Sequence, residues 1–196
     1  MNPNHPLKGS QTCVEPIRSE TAIASIKKVL ATRPRDLLLF TLAINNGIRT
    51  GDLLRLKVSD VQDLNSGGAL TIVESKTGKK NTLVINKGVH RALKLFLSSE
   101  DVHPDHFLFR SRKGQNRPIS VQYVNHMVKC WCKAINLSGN YGAHSLRKTF
   151  GYIQRTKYGV GFEVLCKRFN HSSPQVTMRY LGISDSEVML ILQNDV

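Results

Sequence analysis

The sequence predicts a mainly α-helical domain of the α+β class, carrying one small antiparallel β-sheet at its edge. Three observations support this. Apolar residues recur at helical spacing through most of the 196-residue chain, only about two or three strands are expected, and the two clearest β-prone runs flank a single basic turn. No internal repeat is present, and a chain of this length has room for one sizeable core.

Residues 1–18 hold Pro3, Pro6, Gly9 and Pro16 among polar neighbours without a hydrophobic period, so a tail or linker is expected there, with the domain spanning residues 19–196. Ile23, Ile26, Val29 and Leu30 fit one helix. After Pro34, suited to a first helical turn, Leu37, Leu38, Phe40, Thr41 and Leu42 fit a second, which Gly47 should end. Thr50 is a candidate N-cap for a short helix over residues 50–57, with Asp52 in its first turn, so Arg49 falls at a turn between helices. Residues 69–74 and 82–85 read as a hairpin around the basic tip Ser75-Lys76-Thr77-Gly78-Lys79-Lys80-Asn81. Helical spacing returns over residues 89–97, 120–135, 144–157, 162–169, 174–180 and 185–192.

Charge gives the first functional clue: 28 Lys and Arg against 14 Asp and Glu leave a net charge of +14. The basic residues are spread along the chain, not gathered on one amphipathic helix, which favours nucleic acid over a membrane surface as the polyanionic partner. A basic protein without such a partner is the plainer alternative. Cys13, Cys130, Cys132 and Cys166 lack CxxC spacing and are expected to be reduced and structural. No run approaches the roughly 20 apolar residues of a membrane span, and a cytoplasmic location is expected. The seven histidines form no HxxxH or HxH pair, so no metal site is expected.

His144 and Arg147 stand three apart, so on a helix an imidazole and a guanidinium project from one face while Leu146 turns to the core. Such a pair also suits an ordinary basic surface helix. A second histidine, His171, precedes a helix opened by Pro174, and Tyr180 follows nine positions later (180 − 171 = 9). Alone, that tyrosine fits a half-buried core position equally well.

The combination is more specific. The string from Arg168 through Asn170-His171-Ser172-Ser173-Pro174 to Arg179-Tyr180-Leu181-Gly182 resembles the C-terminal signature of the phage integrase family, the tyrosine recombinases. His144-Ser145-Leu146-Arg147 resembles that family's His-x-x-Arg box, and Asn46-Gly47-Ile48-Arg49-Thr50-Gly51-Asp52 resembles the box of its first arginine. Glu74-Ser75-Lys76-Thr77-Gly78-Lys79 is similar to the hairpin that bears its catalytic lysine. The resemblance covers residues 20–190 and implies the catalytic-domain fold of that family, with Arg49, Lys76, His144, Arg147, His171 and Tyr180 as catalytic residues.

It further implies strand cleavage through a 3′-phosphotyrosine, for integration, excision or inversion of double-stranded DNA, with no cofactor. A phosphodiester is anionic, and Arg49 and Arg147 could each offer charge-assisted donors to its oxygens. Tyr180 needs a base, for which His144 is the candidate. The 5′ oxygen needs an acid, which the resemblance assigns to Lys76 on a mobile hairpin, while His171 donates to the phosphate. Asp52 would support an arginine or simply face a helix dipole. Lys79, Lys80, Arg112 and Lys113, with Arg110 and Arg117, are candidate DNA-backbone contacts.

The resemblance implies a tetramer on paired DNA sites, a free monomer off DNA, and accessory DNA-bending proteins as partners. Two departures stand out: Phe169-Asn170 replaces the more usual Leu-Gly before His171, and Lys148 stands where the family often has histidine. The helical core-binding domain that usually precedes the catalytic one has no counterpart in residues 1–18. The chain is thus expected to be a short member similar to fimbrial-promoter invertases or a piece of a longer protein. The alternatives are a DNA-binding regulator without turnover and a type IB topoisomerase.

Overall fold

The computed structural model describes residues 13–99, 102–113 and 115–182. Helix α1 (Glu20–Val29) begins where the Ala22 amide donates to the Ser19 hydroxyl, and α2 (Pro34–Asn46) begins on Pro34 and stops at Gly47 in the left-handed region. Then follow α3 (Thr50–Leu53), a hairpin of β1 (Ala69–Val73) and β2 (Lys80–Val84), α4 (Lys87–Ser99), α5 (Val121–Ala134), α6 (Ala143–Tyr158), α7 (Phe162–Phe169) and α8 (Pro174–Leu181). The expected class is what the chain adopts.

Helix α2 is central, packing on α4 and α6, because its apolar residues Leu38, Leu39, Phe40 and Leu42 cover more than one face. Phe40 meets Trp131 of α5 edge to face, with ring centroids 5.9 Å apart. A smaller cluster of Leu165, Phe169 and Leu181, flanked by Phe150 and Tyr180, joins α7 and α8 to α6. That satellite cluster positions the segment carrying His171 and Tyr180.

The strands pair from Ala69↔Val84 to Val73↔Lys80, with Leu70 and Ile72 turned inward beside Asn81 and Leu83. The short helix expected over residues 50–57 needs correction. It ends at Leu53, Arg49 takes the N-cap position, and the Thr50 hydroxyl donates to the Ala143 carbonyl instead of capping. The chain beyond is drawn into long-range backbone pairing, with Leu108 donating to Leu56 and Val58 donating to His106.

Residues 13–18, assigned to the tail from sequence, pack on the domain: Ile17 is fully buried and its amide donates to the Thr149 hydroxyl at 2.8 Å. The helix expected over residues 185–192 lies outside the described residues. Among the described residues no helix is long and apolar enough to cross a membrane, and Cys13, Cys130, Cys132 and Cys166 are free thiols.

Candidate active site

Gly47 builds the first corner of the site. Its φ of 59° suits glycine, and a Cβ there would run into the Phe150 ring, so a larger residue is disfavoured between α2 and α6. The sharp stop turns the chain so that Arg49 leaves the α2–α3 corner toward the hairpin. There Arg49 forms an ion pair with Glu74, whose side chain is completely buried while that of Arg49 stays 20% exposed.

Arg147 lies on the inner face of α6 with 3% exposure. It donates to the Gly47 carbonyl at 2.7 Å and to the Phe169 carbonyl at 2.8 Å, and its guanidinium stacks on the Phe169 ring at 4.6 Å. Two of its five N–H groups thus tie α2 and α7 to α6, leaving three for other partners. Arg168 acts similarly, donating to the Asn46 carbonyl, to Thr82 and to the Asn81 side chain.

Three titratable groups feel these cations. Burial, and then the charges of Arg147 and Arg49, hold His171 down at a pKa of about 4, against the pull of Glu74. Its Nδ1 lies 3.0 Å from the Thr177 hydroxyl. The imidazole of His144 reaches the surface but is partly walled in. That desolvation, followed by Arg147, Arg49, Lys148 and Lys76, keeps its pKa below the ordinary value.

Tyr180 packs edge-on against Phe169 and His171, with centroids 5.6 and 5.0 Å away. Burial pushes its phenol up to about 12, although Arg147 and Arg49 pull the other way. Among the described residues its buried hydroxyl has no hydrogen bond of good geometry. The Lys148 ammonium sits over its ring at 5.1 Å.

The hairpin tip is anchored on both sides. The Asp52 carboxylate accepts from the Ser75 amide at 2.9 Å and from its hydroxyl at 2.7 Å, while Glu74 accepts from the Thr77 hydroxyl at 2.7 Å and from the Asn81 amide at 3.0 Å. Lys76 lies between these anchors and stays exposed. Arg147 and Arg49 thus bear on His144, His171 and Tyr180 together, Lys76 bears on His144, and Asp52 holds Ser75, the residue before Lys76.

Lys79 and Lys80 are exposed further along the hairpin. Arg112 instead lines a separate cleft of about 430 Å³ with Arg33, Arg35 and Arg110, and Lys113 is exposed on the same loop. Sequence reading gave no role to Glu74 or Lys148, both buried. Each had a signal: Glu74 continues the inward parity of Leu70 and Ile72, and Lys148 stands one helical turn from His144 (148 − 144 = 4).

The model of the phage integrase family matches residues 17–187. The probable integrase/recombinase YoeC of Bacillus subtilis (strain 168) is 37% identical over 175 residues, covering 88% of this chain and 91% of that protein. Tyrosine recombinase XerC of Caldanaerobacter subterraneus subsp. tengcongensis is 29% identical over 160 residues, 80% of this chain but 43% of XerC. The chain thus spans nearly all of one relative and under half of the other. Among solved structures, XerA recombinase superposes with a TM-score of 0.72 at 19% identity, covering 95% of this chain and 67% of XerA. XerH, bound to its difH substrate after cleavage, gives 0.69 at 22% identity, covering 97% of this chain and 57% of XerH. The fold is that of a tyrosine recombinase catalytic domain. The chain belongs to the phage integrase family.

Proposed function

We propose that the chain is a site-specific recombinase that cuts and rejoins double-stranded DNA through a covalent bond from Tyr180 to the 3′ phosphate. The reading rests on one observation: the His171 and Tyr180 rings, 5.0 Å apart, both pack on Phe169, on which the Arg147 guanidinium also stacks, and the charges of Arg147 and Arg49 bear on His144, His171 and Tyr180. The uncommitted N–H donors of the two arginines bind the non-bridging oxygens of the scissile phosphate. The Tyr180 oxygen attacks phosphorus, its proton passes to His144, and the bond to the 5′ oxygen breaks as Lys76 protonates that oxygen.

His144 is suited to accept a proton because its lowered pKa leaves it neutral at pH 7. His171, also neutral, donates to the phosphate. The high phenol pKa means that deprotonation accompanies attack and does not precede it. The ester conserves the bond energy, so a 5′ hydroxyl of a second strand can displace Tyr180 and restore it. Asp52 supports the turn bearing Lys76, and Lys79, Lys80, Arg112 and Lys113 contact backbone phosphates. Assembly as a tetramer on paired sites from free monomers, with accessory DNA-bending proteins, belongs to the same proposal.

The test uses nicked duplexes tiling the DNA that flanks the coding region, designed so that the 5′-hydroxyl fragment diffuses away after cleavage. The wild-type protein should give an SDS-resistant protein–DNA adduct, and Tyr180→Phe should bind the duplex yet give none. An adduct from Tyr180→Phe, or tight binding by wild type without any adduct, would refute the assignment.

A further inference from the structure

Glu74 is a carboxylate with no solvent exposure, at the end of β1 and two residues before Lys76. Burying an ionised carboxylate is costly unless partners replace its water, and here they come from four places in the chain. Asn81 donates from β2 and Thr77 from the turn, Arg49 forms an ion pair from the α2–α3 corner, and Asn170 adds a further hydrogen bond from the cap of α7. Burial opposes ionisation, yet these contacts outweigh it and hold the carboxyl at a pKa of about 2. The Asn81 oxygen is taken by Arg168 and by the Thr82 amide, which fixes the amide nitrogen toward Glu74.

The partners are not arbitrary. Arg49 is one, Thr77 is next to Lys76, and Asn170, held in the left-handed region with φ 54°, directly precedes His171. One carboxylate therefore fastens together the three segments that present a guanidinium, an ammonium and an imidazole to the same place. A guanidinium has five donors in a flat fork, so the edge held by Glu74 leaves the other edge of Arg49 free to face a phosphate.

We infer that Glu74 is a positioning residue for DNA cleavage, holding Arg49 against the reacting phosphate and registering the Lys76 turn beside it. This rests on the cleavage chemistry proposed above. A displacement of about 1 Å at a reacting centre costs up to about a hundredfold in rate. Glu74→Asp keeps the charge and withdraws it by one methylene, and Glu74→Gln keeps the length and sets an N–H donor against donors.

The experiment measures single-turnover adduct formation and duplex affinity for wild type and both variants, with folding checked by circular dichroism. Glu74→Asp should fold, bind DNA within about threefold of wild type and form adduct about tenfold to a hundredfold more slowly, with Glu74→Gln at least as slow. On a duplex with a neutral methylphosphonate at the cleavage position, a guanidinium has less charge to stabilise, so the gap between wild type and Glu74→Asp should close to about threefold. A wild-type rate in Glu74→Asp, or a gap unchanged on the neutral substrate, would overturn the inference while leaving the cleavage chemistry standing. Absence of adduct from wild type would overturn both.

Discussion

Replacing Arg147 with methionine removes a guanidinium that joins three helices, and the cost can be worked from its contacts. Two charged hydrogen bonds, to the carbonyls of Gly47 and Phe169, are lost. At about 1.5–3 kcal/mol each they represent about 3–6 kcal/mol. Burial already disfavours the Arg147 charge, as its lowered pKa shows, so removing that charge returns part of the loss and leaves about 3 kcal/mol. For a domain of this size each kcal/mol shifts Tm by about 2–4 °C, which predicts a fall of about 6–12 °C. Thermal melts followed by circular dichroism, with urea midpoints as a second measure, test this directly. Arg147→Lys should fall between wild type and Arg147→Met, because one ammonium cannot span both carbonyls. If Arg147→Met melts within about 2 °C of wild type, the two carbonyl bonds do not hold α2 and α7 to α6 and the reasoning fails.

Tyr180→Phe should be as stable as wild type or more stable by up to about 1 kcal/mol, since it deletes a buried hydroxyl without a good hydrogen bond; a clear drop in Tm would show a partner for that oxygen. Gly151→Ala should destabilise by about 1–3 kcal/mol despite the better helix propensity of alanine. Its Cβ would lie 2.7 Å from both Leu181 and Phe169, forcing α8 and Tyr180 away from α6, so adduct formation should slow as well; a more stable variant refutes this. Stability should also fall with pH in two stages. His171, held near 4 in the fold against an ordinary 6.5, is protonated first in the unfolded chain, so its contribution is whole above pH 6.5 and is lost as pH falls toward 4. Glu74, held near 2 against an ordinary 4.5, contributes fully above 4.5 and loses that contribution toward 2. In melts at stepped pH, His171→Asn should shrink the upper stage, which His144 with its own lowered pKa shares, and leave the lower stage as it is; an upper stage of unchanged size would refute the His171 assignment.

The long helices were legible because their apolar residues repeat over several turns and their ends carry local signals, Ser120 before α5 and Gly47 after α2. Helix α3 is shorter than expected because the cap and first-turn signals of Thr50 and Asp52 mark where a helix starts and not where it stops. Leu56 is buried instead through a backbone pairing with Leu108, some 50 residues away in sequence, which no local pattern encodes. The packing of Ile17 on α6 was hidden for the same reason. In the site, residues in short motifs were readable one box at a time, whereas Glu74, Arg168 and Asn81 act across 25 to 122 positions of sequence.

What allows so many cations to gather is the placement of helix ends. The last carbonyls of a helix lack intrahelical partners and carry partial negative charge. Helix α2 ends at Asn46 and Gly47, and α7 ends at Phe169, and those carbonyls accept from Arg168 and Arg147. The left-handed caps at Gly47 and Asn170 stop both helices so that these carbonyls meet the guanidiniums. The full charge of Glu74 answers Arg49, which sits at the N-cap of α3 and has no such helix end to meet. Each arginine is thereby fixed by one part of its fork to main chain or buried carboxylate. Its remaining donors are oriented by the fold, and the preorganisation that favours an anion there is settled when the helices dock.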